Sequence, residues 1–145
     1  MGKRSMQVLA VLTVAILMCG FACQNATKNL ATASDAIAHA LANAQTASKQ
    51  AVSQNLITAE DDAAFEQYLS KVAEAGQVLN QGIRANESAS TLSSKVNSFL
   101  DAFNALQTQG LAGIKNKNLQ LTISTIITGA ESSVAIIAAT VGGGK

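Results

Sequence analysis

Residues 58–84 read TAEDDAAFEQYLSKVAEAGQVLNQGIR, and this stretch decides the fold class. Thr58 followed by Ala59-Glu60-Asp61-Asp62 is a T-x-x-D capping pattern, and it sets three acids in the first turn, where the helix dipole favours negative charge. Phe65, Leu69, Val72, Gly76, Leu79 and Ile83 then recur at spacings of three and four, which is one face of an amphipathic helix. Gly76 lies on that face. Gly inside a helix costs about 1 kcal/mol relative to Ala, so close approach of a neighbouring helix is expected there.

Working outward, the same grammar repeats. Arg84-Ala85-Asn86-Glu87-Ser88 is a polar connection. From about Ser88 to Gln109 a helix carries Leu92, Val96, Phe99, Leu100, Phe103 and Leu106 on one side, and Gly110 is placed to end it. Leu111 to Asn118 reads as a loop with some apolar content. Asn118 is then positioned to cap a further helix to about Val141, bearing Leu119, Ile123, Ile126, Ile127, Ala130, Val134, Ile137 and Val141. The β-branched run Thr122 to Thr128 keeps helical spacing. Upstream, Asn29 to about Leu56 carries Leu30, Ala33, Ile37, Leu41, Ala44, Ala51 and Val52, a weaker stripe made largely of Ala. The expected architecture is all-α: an antiparallel up-down bundle of about four helices preceded by an N-terminal signal or anchor helix.

Composition supports this. The chain has 145 residues, 48% of them hydrophobic but only 3% aromatic, with no Pro and no Trp. Ala is the best helix former, and a Pro-free chain has no obligatory helix break. Net charge is +1, from 10 basic and 9 acidic residues. Without residues 1–22, which carry Lys3 and Arg4, the balance becomes 8 against 9 and the net charge −1. A near-neutral chain without basic clusters argues against nucleic acid, whose binding rests on many phosphate contacts.

Both cysteines, Cys19 and Cys23, fall in the first 23 positions, so the sequence beyond has no disulfide or thiolate chemistry. Lys3 and Arg4 form a positive n-region, and Val8 to Met18 (VLAVLTVAILM) is an apolar run of signal-peptide length. Gly20-Phe21-Ala22-Cys23 follows. This segment resembles the lipobox of bacterial lipoproteins, in which a small residue precedes a Cys that is acylated and becomes the new N-terminus. Ala22 and Cys23 match that pattern, whereas Gly20 stands where Leu is usual and Phe21 is bulkier than usual. The resemblance covers the leader alone and implies lipidation at Cys23. Cys19, preceded by Met18, fits less well. Gly20 and Ala22 also suit an ordinary signal peptidase, which would give a soluble secreted protein, and an uncleaved anchor helix is the third outcome.

The expected organisation is a signal peptide over 1–22, a polar tether over 23–28, a bundle over 29–141 and a flexible Gly-rich tail over 142–145. Candidate sites in the bundle are few. His39, the one histidine, lies about 180° from Leu30 on the helical wheel and reads as a surface residue. Glu60, Asp61, Asp62 and Glu66 are the densest acidic cluster; capping and the dipole account for them, and the segment lacks the Gly and alternating oxygen ligands of a calcium loop. Glu131 interrupts the last helix and reads as an outward-facing acid. The triplets at Asn25 and Asn86 match the glycosylation acceptor, a frequent chance pattern.

No catalytic residue, cofactor or metal ligand is assigned. The expected function is that of a small exported cell-envelope protein with a structural or partner-binding role, attached to the membrane by the lipid or by an anchor helix. A protein partner or a second copy of the chain is compatible with the Ala-rich stripes. The alternative is a membrane-active protein of pore or lysis type, in which residues 119–141, roughly 34 Å of helix, enter the bilayer.

Overall fold

The computed structural model describes the backbone of residues 3–142 and the side chains of residues 28–141. Among the described residues four helices form the fold: α1 (Lys3–Ser53), α2 (Ala59–Arg84), α3 (Ala89–Ala105) and α4 (Lys117–Gly142), with a π-helical turn at Leu106–Gly110 after α3. α1 packs on α4 and α2, and α3 packs on α2 and α4, closing a four-membered ring. Lys115 meets Asp61 at 3.5 Å, and the Asn116 amide donates to the Leu56 carbonyl at 3.5 Å. The α1–α2 and α3–α4 links therefore lie at one end of the bundle, and successive helices run antiparallel. The all-α up-down bundle is the observed architecture.

The stripes read from the sequence form the core. Leu30, Ala33, Ile37, Ala44 and Ala51 of α1 are buried, with Phe65, Leu69, Val72 and Leu79 of α2. Val96, Phe99 and Phe103 come from α3, Leu106 from the π turn, and Leu119, Ile123, Ile127, Ala130, Val134 and Ile137 from α4. The Phe99 and Phe103 rings lie 6.2 Å apart between centroids, tilted by 31°. Thr122, Thr125 and Thr140 donate their hydroxyls to the carbonyls of Asn118, Leu121 and Ile136 at 2.7–2.9 Å. Back-bonding of this kind satisfies the hydroxyls inside the helix, so the β-branched run stays helical.

The termini differ from the sequence reading in several places. α1 ends at Ser53 rather than near Leu56, because Asn55 adopts φ 57°. The Asn55 and Leu56 amides then donate to the carbonyls of Val52 and Ala51 at 3.0 and 2.9 Å. This is a Schellman closure with Asn in the left-handed position where Gly is commoner. α2 ends the same way: Asn86 has φ 51°, and the Asn86 and Glu87 amides donate to Ile83 and Gly82 at 3.1 Å. The backbone is helical through 23–28, continuous with the rest of α1, where the sequence reads as a tether. The cap of α4 is Asn116, not Asn118. Its carboxamide oxygen accepts the Leu119 amide at 3.0 Å while its carbonyl takes the Gln120 amide, so Lys117 and Asn118 fall in the first turn.

Gly110 does not stop α3 as a left-handed cap, since no glycine among the described residues has positive φ. Instead the Leu111 amide reaches five residues back to the Leu106 carbonyl at 3.0 Å. The wider turn lets Gly110, Leu111 and Ile114 all face inward, and all three are buried. The segment between α3 and α4 is a loop, and its apolar residues Leu111 and Ile114 belong to the core.

Candidate ligand groove

The acidic cluster resolves into separate local tasks. Thr58 and Asp61 make a reciprocal capping box: the Thr58 hydroxyl accepts the Asp61 amide at 3.0 Å, and the Asp61 carboxylate accepts the Thr58 amide at 3.4 Å. Asp62 accepts the hydroxyl of Ser48, the one fully buried polar residue described, at 2.5 Å. Glu66 accepts the Gln45 amide at 3.0 Å and pairs with Lys49 at 3.1 Å. Glu60 is exposed. Hydrogen bonding to Thr58 holds the Asp61 carboxyl below its ordinary range against partial desolvation, and Lys115 adds to the effect. Hydrogen bonds from Gln45 and Lys49 lower Glu66 in the same direction.

Groups whose folded pKa is depressed contribute stability above their unfolded pKa, and that stability is lost as pH falls through the folded value. The denaturation midpoint of the bundle is therefore expected to decline as pH drops below the ordinary Glu value of 4.5 and the ordinary Asp value of 3.8. Glu66→Gln should remove its own share of that slope. A midpoint that does not move between about pH 5 and 3 would show that these bonds add nothing to the folded state.

The other sequence candidates stand apart. His39 is exposed on α1. Glu131 is exposed on α4 and accepts the Gln107 amide at 2.6 Å, the outward-facing acid expected. Among the described residues, no three His, Cys, Asp or Glu side chains gather closely enough to hold a metal ion. The side chains of Cys19, Cys23 and Asn25 lie outside the described residues, as does the tail 143–145.

What the fold builds is a groove along the α1–α2 seam. The Gln45–Glu66 and Ser48–Asp62 bonds tie the two helices together toward one end. Beyond that tie the facing positions are Ala38 and Ala42 on α1 and Ala73 and Gly76 on α2. These are too small to fill the space between two helix axes, which ordinarily stand about 8–10 Å apart with side chains interleaved. A gap of about 380 Å³ results, within the range of roughly 300–1,000 Å³ typical of small-molecule sites. Its floor is apolar. Ile37 and Leu41 come from α1 and Leu69, Val72 and Leu79 from α2, while Phe99 and Ile137 reach in from α3 and α4. Most of these are buried, and Ser34, Gln45, Glu66, Gln77 and Asn80 supply polar groups around the edge.

The groove is not legible in the sequence. Gly76 reads as the mark of a close helix approach, but an added Cβ there would meet only the Phe99 ring, at 3.6 Å, an ordinary contact. The pertinent signal was the pairing of small residues at Ala38, Ala42, Ala73 and Gly76, which only the register of the two helices brings opposite one another. A second hollow between α2 and α3 is larger, at about 530 Å³, but none of the side chains lining it is buried, so it is a surface depression. Comparison with protein-family models, curated proteins and solved structures yields no match to this chain.

Proposed function

We propose that the chain is a small exported protein of the bacterial cell envelope, attached to the membrane through a lipid on Cys23, whose helical body binds rather than catalyses. The leader pattern of Lys3, Arg4, the Val8–Met18 run and Ala22-Cys23 supports export and lipidation. The observation that carries the binding role is the α1–α2 groove, a recess with a polar edge and a floor of mostly buried apolar side chains. Intact-mass measurement on protein recovered from bacterial membranes tests the attachment. A chain beginning at Cys23 with added acyl mass is expected, and Cys23→Ser should abolish both that mass and the membrane retention. A full-length mass, or an unmodified Cys23 on a soluble chain, would defeat the lipoprotein reading.

A second reading has one observation in its favour. Lys117–Val141 is, among the described residues, the helix long and apolar enough to cross a membrane. It leaves Leu121 and Ile136 exposed, at 69% and 45%. On that reading α4 leaves the bundle and inserts, against the cost of carrying Glu131 into hydrocarbon, about 2.5–3.5 kcal/mol on insertion scales. Release of trapped dye from liposomes by the purified protein would favour it, and intact liposomes at micromolar protein would dismiss it.

A further inference from the structure

The length, volume and charge of the groove bear on its occupant. α1 lines it from Ser34 to Gln45 and α2 from Glu66 to Asn80, about 17 and 21 Å at a rise of about 1.5 Å per residue. One acyl chain fills half of the roughly 30 Å hydrocarbon core of a bilayer, about 15 Å, so the groove matches the length of one such chain. The groove holds about 380 Å³, the size of a small-molecule site.

Charge then orients the chain. One end is acidic, with Glu66 in the wall and Glu60, Asp61 and Asp62 on the preceding turns of α2, against Lys49 and Lys115. At the other end Arg84 donates to the lining Asn80 at 3.2 Å. Among the described residues no carboxylate lies within 4.0 Å of the Arg84 guanidinium. Among the described side chains of α1 toward that end, Lys28 and Asp35 carry opposite charges. A guanidinium presented with an amide beside it is suited to a carboxylate or phosphate oxygen pair.

We propose that the groove binds the aliphatic tail of a single-chain anionic amphiphile, of the fatty-acid class, with its headgroup at the Asn80–Arg84 end. This rests on the binding role assigned to the groove above. The test uses the full chain in membranes of the expressing cell, with a fatty acid bearing a mid-chain diazirine and its neutral alcohol counterpart as probes. After photolysis, labelled residues are mapped by peptide mass spectrometry. Labels are expected within 34–45 and 66–80. Ala73→Trp and, independently, Ala38→Leu add bulk at exposed wall positions, and each should lower labelling at least tenfold with helicity by circular dichroism unchanged. Arg84→Gln should lower labelling by the acid severalfold and leave the alcohol unaffected. Equal labelling by both probes, indifferent to Arg84→Gln, would overturn the anionic headgroup while the binding role of the groove stands. Labels confined to α4 or to residues outside the groove, or labelling that survives both bulky variants, would overturn the binding role as well.

Discussion

Phe99→Ala is expected to destabilise the bundle by about 3–5 kcal/mol, the usual cost of truncating a buried aromatic. Phe99 is 2% exposed, stacks obliquely on Phe103, and forms the part of the groove floor that faces Gly76. Cores limit such losses by collapsing into the vacated space, and here that route is poor. The helix opposite presents Ala73 and Gly76, whose methyl and hydrogen are too short to follow the ring inward, and the Gln45–Glu66 bond ties the seam. At roughly 4 °C per kcal/mol for a domain of this size, the melting temperature should fall by about 15 °C. Urea denaturation at constant m would separate this from a change in the unfolded state. Phe99→Leu should keep most of the volume and cost less than about 1.5 kcal/mol. A loss under about 1 kcal/mol for the Ala variant would mean that α3 does not pack against the α1–α2 seam as described.

The same residue shows why the fold was legible in the sequence and the groove was not. Phe99 belongs to a stripe with Val96 and Phe103, and a stripe is a property of one helix read alone. The Thr58–Asp61 capping box is equally local, and both halves of it are in place. Where two helices must be registered against each other, local reading runs out. Ala38 and Ala73 become opposite walls only through the register of α1 against α2, which the Gln45–Glu66 and Ser48–Asp62 bonds mark and the sequence does not announce. Asn55 and Asn86 mark an intermediate case. Asn tolerates the left-handed conformation better than other residues with a side chain, so two helix ends closed without glycine were readable in principle. Gly110 is the more conspicuous signal. Glycine is the commonest terminator, and the reason for this one lies in a neighbouring helix rather than in its own backbone.

That reason makes the second large prediction. Gly110→Val should cost about 2–3 kcal/mol, a melting-temperature drop of about 10 °C, whereas Gly129→Ala should raise stability by up to about 1 kcal/mol. Neither glycine has positive φ, so backbone strain does not enter, and a side chain at either site gains in helix propensity. Space decides the sign. A Cβ on Gly110 would stand 3.1 Å from Leu106 Cδ1 and 3.2 Å from Cβ and Cγ of Tyr68, whereas one on Gly129 meets nothing within 4 Å. Leu106 is fully buried, and interiors are packed densely enough that added volume there is felt. Tyr68 is held from its far end too, since its hydroxyl donates to Gln109 at 3.1 Å beside the π turn. A branched side chain at 110 must therefore push α2 away or force the π turn out of the core, and overpacking of this kind commonly costs about 1–3 kcal/mol. Thermal melts of the two single variants and the double variant decide the matter. The sites share no neighbour, so the effects should add to within about 0.5 kcal/mol. A neutral Gly110→Val would show that α2 and the π turn are not in contact, and the account of Leu111 and Ile114 as core residues would fall with it.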